Sequence, residues 1–242
     1  MLFSSMVFVW IFLPVVLAGN YLLTRIGGHR AANVFSLIAS LFFYAWGEPI
    51  YVVLMLVSIT VNYFSGLFLS KYPKSRIILV MTLFTNLAIL AYFKYAGMLV
   101  ETLNTLFKGN LAVPQISLPI GISFFTFQAL SYVVDVYRGE TKPQKNWFKL
   151  ALYVSFFPQL IAGPIVKYKD VDAQIESRTL SMRQTASGIR RFTYGFAKKV
   201  LLANVLGLCA DTLYGVGINQ MTGVMTWICE FSFQVQGLGA TP

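Results

Sequence analysis

The 242-residue chain is 57% hydrophobic and only 12% charged, whereas soluble domains carry about 25% charged residues. This composition excludes a soluble enzyme and indicates an all-α, polytopic membrane protein folded as a helical bundle, with the lipid bilayer as its first partner. The net charge of +10 comes with no nucleic-acid motif, so no nucleic-acid partner is expected. Cys209 and Cys229 lie in apolar surroundings without metal-ligand spacing, so they predict buried thiols and no metal site.

Charge-free runs predict about seven membrane-embedded segments. Each run is close to the roughly 20 residues that cross a bilayer. The first has no preceding basic residue and no small-residue cleavage site, so it is interpreted as a retained span and not as a signal peptide. No internal repeat or linker separates the runs, which favours one membrane domain. The runs are 1–24, 31–47, 49–70, 77–93, 109–134, 150–166 and 212–229.

Basic residues predict the orientation, because they concentrate in cytoplasmic loops. Clusters follow the first, third and fifth segments, so the N-terminus is expected outside. Strict alternation fails after the sixth segment, because a further block of eight basic residues would then lie outside. A re-entrant sixth segment removes the conflict and leaves only Lys94 and Lys108 away from the cytoplasmic side.

The sixth segment contains FFPQLIAGPI at 156–165. Pro158 and Pro164, with Gly163 beside the second, interrupt the helical hydrogen-bond ladder twice. Such backbone is tolerated at membrane depth only where protein buries it or where it lines a cavity. The segment is therefore expected to enter from the cytoplasm and return to it.

A second interrupted segment, LPIGISFFTFQALSY at 118–132, carries polar side chains along an apolar helix. Such side chains either hydrogen-bond neighbouring helices or line a polar cavity. In the first interpretation they stabilise packing, and in the second the two broken segments together frame a cavity or tunnel. The candidate tunnel residues are Ser123, Gln128, Pro158, Gln159, Gly163 and Pro164.

The cytoplasmic block that follows predicts a helix with one basic face. Ser181 and Gln184 have the spacing of a capping box, and four cations, Arg183, Arg190, Arg191 and Lys198, cluster on one side. This face could contact anionic lipid headgroups or attract an anionic cytoplasmic donor. The single histidine, His29, lies in the sequence GGHR and is interpreted as a solvated loop residue.

Several long motifs occur in a fixed order along the chain. They are MLFSSMVFVWIFLPVV, SLFFYAWGEPIYVVLMLVSITVNYFSG, LPIGISFFTFQALSYVVDVYRGE and FFPQLIAGPIVKYKD. From residue 1 to about 234 the sequence resembles the membrane-bound O-acyltransferase (MBOAT) family, and most closely its bacterial alginate O-acetyltransferase branch. The resemblance implies a multi-pass protein of the bacterial inner membrane with a central tunnel, in which FFPQLIAGPI helps to shape the core.

The resemblance also implies the reaction. An acetyl group would pass from a cytoplasmic donor, acetyl-CoA or another acyl thioester, toward an exported polysaccharide such as alginate. No bound cofactor is expected, and periplasmic polysaccharide-acetylation proteins would complete the transfer. Two alternatives stay open: a polytopic transporter, suggested by the broken helices, and a non-catalytic membrane fragment.

The chain departs from the family near its end. The family's catalytic histidine belongs to a later segment, and no histidine follows His29. FSFQ at 231–234 resembles the start of a further family motif, but the sequence continues as VQGLGATP. Two glycines and a proline are unfavourable in a helix and do not fit the continuation of that motif, so residues 235–242 are interpreted as an atypical tail of a truncated or frame-shifted product. No catalytic residue is assigned, and this chain alone is expected to be inactive.

Overall fold

A computed structural model describes residues 5–107, 109, 112–114, 116–160, 166–176, 178, 181–215 and 222–239, with the side chains of 235–239 excepted. All regular structure in these ranges is helical, which confirms the all-α prediction. The chain divides into two compact units, which are described separately. One comprises 15–161 and 165–178 with residue 1, and the other comprises 2–14, 162–164 and 179–242.

The first helix folds back on itself at Gly28 and forms a helical hairpin. Helix α1, Leu13–Ala45, follows a π-helical turn at Phe8–Phe12 and contains Gly28 at φ 72° and ψ −174°. This positive φ is open to glycine but strained for other residues. Asn20 Nδ2 lies 2.6 Å from Ser36 Oγ across the bend, so the two arms lie side by side. The separate first and second segments predicted from the charges correspond to these arms.

Helices α2, Tyr51–Lys71, and α3, Arg76–Phe107, are joined by buried polar contacts. Asn62 Nδ2 donates to Asn86 Oδ1 at 2.9 Å, and Asn86 Nδ2 donates back to Asn62 Oδ1 at 3.2 Å. Thr82 Oγ1 donates to Ser65 Oγ at 2.8 Å one helical level away. Each amide therefore satisfies the other inside an apolar bundle, where an unpaired polar group would be costly.

Helix α4, Ile122–Arg138, is the centre of the first unit, with ten of its residues buried. It packs against α2, α3 and the short helix α5, Trp147–Ser155. Glycines in left-handed conformation lie at both of its ends, Gly121 and Gly139. The charge-free run 109–134 predicted one longer segment, but helix begins only at Ile122, because Gly121 terminates the ladder on that side.

The chain continues through α6, Phe157–Leu160, and α7, Tyr168–Glu176. The second unit contains α8, Met182–Lys198, α9, Asn204–Tyr214, and α10, Gly223–Gly239, with a π-helical turn at Lys199–Ala203. Tyr214 and Phe233 rings meet edge to face at 6.4 Å between α9 and α10.

One expectation for this unit is wrong. The charge-free run 212–229 is not one helix, because α9 ends at Tyr214 and α10 begins at Gly223. Helix α10 runs past Gln234 to Gly239, although glycine lowers helix stability by about 1 kcal/mol per residue, and the interpretation of 235–242 as an atypical tail stays a prediction. Residues 240–242 lie outside the described ranges.

Three helical stretches of the described chain are long and apolar enough to cross a membrane: Phe8–Ala45, Tyr51–Lys71 and Arg76–Phe107. Many large apolar side chains on them are exposed, among them Trp10, Ile38 and Phe84. In water such a surface would be unstable, whereas in lipid it is solvated by acyl chains. The surface chemistry therefore agrees with a membrane protein.

Candidate functional site: the broken helices and an adjoining cavity

The sixth predicted segment folds back, so that the residues that follow it lie beside α5 and the residues that precede it. Helix α5 has nine residues, about 13.5 Å at 1.5 Å per residue, which is too short to cross a bilayer of about 30 Å. Gln144 precedes α5 and donates its Nε2 to Tyr168 Oη at 2.6 Å at the start of α7. Farther along, Tyr153 Oη donates to the carbonyl of Val166 at 2.6 Å. The described residues on both sides of 161–165 thus lie together, as a re-entrant segment requires.

Three buried tyrosines fix this return. The ring of Tyr168 meets those of Tyr132 and Tyr153 edge to face at 5.1 and 5.0 Å. Tyr132 Oη accepts the backbone N–H of Gln144 at 2.9 Å, and Tyr168 Oη donates to Asp172 Oδ1 at 2.7 Å. Since each hydroxyl has a partner, the aromatic cluster contributes apolar burial without an unsatisfied polar atom.

The two broken segments meet at two places. Gln128 of α4 donates its Nε2 to the carbonyl of Tyr153 at 2.8 Å and to Gln159 Oε1 at 3.2 Å. At the other contact, a Cβ placed on Gly121 would lie 2.9 Å from the carbonyl oxygen of Leu160. Gly121 has φ +78°, so glycine is required there both by conformation and by space. The sequence located both segments, and the structure shows that they touch.

The structure does not bring all six candidate residues together. Gln128 and Gln159 are hydrogen-bonded, and Pro158 is the exposed neighbour of Gln159 in α6. Ser123 is half-buried in the first turn of α4, and within the described residues it makes no side-chain hydrogen bond. Gly163 and Pro164 lie outside the described residues. The tunnel role of the six residues stays a prediction.

A cavity of about 130 Å³ lies beside Gln159. Residues of α1, α5, α6 and α7 line it, together with Phe156 between α5 and α6 and Arg178 just beyond α7. The lining residues are Ser36, Leu152, Tyr153, Phe156, Gln159, Val171, Gln174, Ile175 and Arg178. Arg178 is one of the eight basic residues that follow the sixth predicted segment. Its partial burial could not be predicted, because it depends on contacts with residues far away in the sequence.

The end of α7 is held against α1 by one long-range bond. Asn33 Nδ2 donates to the carbonyl of Ile175 at 2.7 Å, across 142 positions of sequence. Arg178 Nη2 lies 3.4 Å from Asn20 Oδ1, on the other arm of the same hairpin. Both arms of α1 therefore position the residues that line the cavity.

Exposed ion pairs flank the re-entrant segment. Lys169 Nζ lies 2.9 Å from Glu140 Oε2, and Lys149 Nζ lies 2.6 Å from Glu176 Oε1. The hydrogen bond from Lys169 lowers the pKa of Glu140, and the same bond raises the pKa of Lys169. Arg138 Nη1 also lies 3.9 Å from Glu140 Oε1.

Helix α8 has no buried residue, and all of it is exposed except Gly195, Phe196 and Ala197, which are half-buried. Its apolar side carries Ile189, Phe192 and Phe196, and the rings of the two phenylalanines stack at 5.9 Å. Ser181 is the N-cap as predicted, but its side chain makes no capping hydrogen bond. The capping box therefore does not form, and only the position of the helix start is confirmed.

Half-buried His29 follows the Gly28 bend, and its Nδ1 is buried without a hydrogen-bond partner among the described residues. The prediction of a fully solvated loop histidine is therefore only partly right.

The described helices and their exposed apolar side chains are those of an all-α membrane protein. Residues 77–229 match the family model for MBOAT, the membrane-bound O-acyltransferase family. The chain belongs to this family.

Three relatives show which members of the family the chain is similar to. The chain is 37% identical, over 98% of its length, to the Pseudomonas aeruginosa protein named "Probable alginate O-acetylase AlgI", of which the match covers 46%. It is 30% identical over 98% of its length to a peptidoglycan O-acetyltransferase of Helicobacter pylori, of which 50% is covered. A teichoic acid D-alanyltransferase of Lacticaseibacillus rhamnosus is 25% identical over 67% of the chain and is covered over 43% of its own length. The chain spans about half the length of these relatives.

Proposed function

We propose that the chain forms part of an O-acetyltransferase that acts on an exported polysaccharide. The single observation that carries this proposal is the similarity to the alginate O-acetylase along 98% of the chain. The peptidoglycan O-acetyltransferase supports the same acetyl transfer on a different carbohydrate polymer. Alginate is the acceptor proposed here, because five alginate O-acetylases match at 34–37% identity.

The proposed donor is a cytoplasmic acyl thioester, acetyl-CoA or an equivalent carrier-bound acetyl group. The acetyl group would move from the cytoplasmic face to a periplasmic acceptor, with periplasmic acetylation proteins completing the transfer. The proposed place is the bacterial inner membrane, with the N-terminus outside. The basic residues around the re-entrant segment, Lys145, Lys149, Lys167 and Lys169 among them, support a cytoplasmic position for that end.

Helix α8 has the chemistry of a helix that lies in the membrane interface. With 3.6 residues per turn, its four cations, Arg183, Arg190, Arg191 and Lys198, lie within a sector of about 100° around the helix axis. Ile189, Phe192 and Phe196 lie on the opposite side, as in an amphipathic interfacial helix. We assign its basic face to anionic headgroups, worth about 1 kcal/mol per cation near the surface. Attraction of the anionic donor to the same face is compatible with this position.

The chain by itself is proposed to be inactive. Its one histidine, His29, lies beside the Gly28 bend of α1, and no contact in the described residues links it to Gln128 or Gln159. Robust acetyl transfer by the isolated 242-residue chain would overturn this part of the proposal.

A chimera tests the function directly. These 242 residues replace the matching 46% of the Pseudomonas aeruginosa alginate O-acetylase in a strain that lacks its own copy. The acetyl content of secreted alginate is measured by mass spectrometry. Membrane insertion and folding of the chimera are checked by extraction from the membrane fraction and a monodisperse peak in size-exclusion chromatography in detergent. We expect acetylated alginate. A chimera that is inserted and monodisperse but leaves alginate unacetylated, while the unmodified enzyme restores acetylation, contradicts the proposal.

A further inference from the structure

The cavity beside Gln159 contains a cation that has no anionic partner. Among the described residues, Arg178 Nε is buried without a hydrogen-bond partner, and the guanidinium takes part in none of their ion pairs. Its one hydrogen bond within those residues runs from Nη2 to the neutral Asn20 Oδ1 at 3.4 Å. Arg178 is half-buried, and even partial removal of a charge from water is costly without a counter-charge, so the unpaired Nε needs an explanation.

Nearby carboxylates do not supply the missing charge. Glu176, two residues before Arg178, is engaged by Lys149 Nζ at 2.6 Å, and Asp172 accepts from Tyr168 Oη at 2.7 Å. The residues outside the described ranges include no aspartate or glutamate. Burial lowers the pKa of the guanidinium, but an arginine still remains charged at neutral pH.

Neutral hydrogen-bond donors share the cavity with this cation. Gln159 accepts from Gln128 through Oε1, which leaves its amide nitrogen for another partner. Gln174 adds a second amide on the α7 side, and Ser36 lies on the α1 side. One arginine fork with surrounding amide N–H groups is a donor set that suits a tetrahedral oxyanion.

The size of the cavity fits a small anion. Its volume of about 130 Å³ is well above the roughly 10–15 Å³ that one water needs. A phosphate group of five heavy atoms can therefore enter without displacement of the aromatic cluster. Leu152 and Phe156 add apolar side chains to the lining, and less polar surroundings strengthen charge-assisted hydrogen bonds.

We propose that Arg178, with Gln159 and Gln174, forms a phosphate-binding site between the re-entrant segment and α1. Two sources carry this chemistry: the phosphate of a nucleotide or phosphopantetheine thioester, and the headgroup of an anionic phospholipid. The donor source rests on the proposed function, whereas the phosphate site itself does not.

The test measures binding of coenzyme A and of inorganic phosphate to the 242-residue chain in uncharged detergent micelles by calorimetry. Arg178→Gln is compared with Arg183→Gln, which removes the same charge from exposed α8. We expect Arg178→Gln to weaken coenzyme A binding by about tenfold or more and Arg183→Gln to weaken it by less than about twofold. Pantetheine, which lacks the phosphate, should not compete.

Folding and ligand source are separated by further measurements. Arg178→Gln should melt at the same or a higher temperature, since it removes a half-buried charge that has no counter-charge among the described residues, and Arg178→Lys should retain part of the affinity. Native mass spectrometry after exposure to phosphatidylglycerol nanodiscs measures lipid retention by both variants. Loss of retained lipid in Arg178→Gln alone, with coenzyme A binding unchanged, assigns the site to a lipid phosphate.

Equal behaviour of Arg178→Gln and Arg183→Gln toward coenzyme A, inorganic phosphate and phosphatidylglycerol would overturn the site. The chimera assay keeps the two proposals distinct. Acetylated alginate from a chimera whose Arg178→Gln variant binds phosphate normally would reject the phosphate site and retain the acetyltransferase.

Discussion

Replacement of Gly121 by alanine tests the contact between the two broken segments. The new Cβ would lie 2.9 Å from the carbonyl oxygen of Leu160, which is backbone and cannot rotate away. Gly121 also has φ +78°, a conformation that costs other residues about 1–2 kcal/mol. Overlap with a packed neighbour adds roughly 1–3 kcal/mol. The total predicted loss is about 2–5 kcal/mol.

Gly139 supplies a matched control on the same helix. Its φ is +77°, nearly that of Gly121, but a Cβ there would meet no atom within 4 Å. Gly139→Ala should therefore lose only the conformational part, about 1–2 kcal/mol. The difference between the two variants isolates the approach of Leu160 to the start of α4.

The assay is thermal unfolding of the purified chain in detergent, followed by the loss of monodisperse protein. For a chain of this size about 1 kcal/mol corresponds to roughly 2–4 °C, so Gly121→Ala should melt several degrees below Gly139→Ala. Equal melting temperatures for the two variants would refute the close contact between α4 and the re-entrant segment.

Three further predictions concern single interactions. Asn62→Ala leaves the buried amide of Asn86 unpaired and should cost about 1–3 kcal/mol. In a double-mutant cycle, the variant with valine at both positions should cost less than the sum of the two single valine variants. Ser181→Ala should change the melting temperature by less than the roughly 1 kcal/mol of a true N-cap, because no capping bond is formed; a full loss would mean that the bond exists. The lowered pKa of Glu140 predicts a stabilisation that is present above the ordinary glutamate pKa and lost as pH falls through the lowered value. The raised pKa of Lys169 predicts that the stabilisation by the ion pair is fully present below the ordinary lysine pKa. It is lost only as the pH rises through the raised value. Wild type and Glu140→Gln should therefore differ constantly at neutral pH and converge in acid, and a difference that peaks in acid would contradict the pairing.

The sequence was sufficient for features that depend on charge and backbone chemistry. Charge-free runs located α2 and α3, and the loop predicted at GGHR coincides with the bend at Gly28. The prolines and glycines of FFPQLIAGPI marked the interruption after α5. These signals are local, since a proline or a missing charge acts wherever the chain places it.

Side-chain partnerships could not be predicted in the same way. The approach of Leu160 to Gly121, and the burial of Arg178, depend on which distant segments pack together. Ser181 shows the limit of a local motif, because the capping box spacing is present but the hydrogen bond is not made. Helix α10 continues past Gln234 although glycine disfavours helix, because propensity is a weak prior that surrounding structure overrides.

The measurement that tests the central proposal most directly is acetyl transfer by the chimera in inside-out membrane vesicles that contain alginate in their lumen. Acetyl-CoA with a ¹³C-labelled acetyl group is supplied outside, at the cytoplasmic face, and labelled alginate is measured by mass spectrometry. The account predicts that label accumulates on the luminal polysaccharide and requires the chimera. Vesicles that hold the folded chimera but leave the alginate unlabelled, while vesicles with the unmodified enzyme label it, would contradict the account.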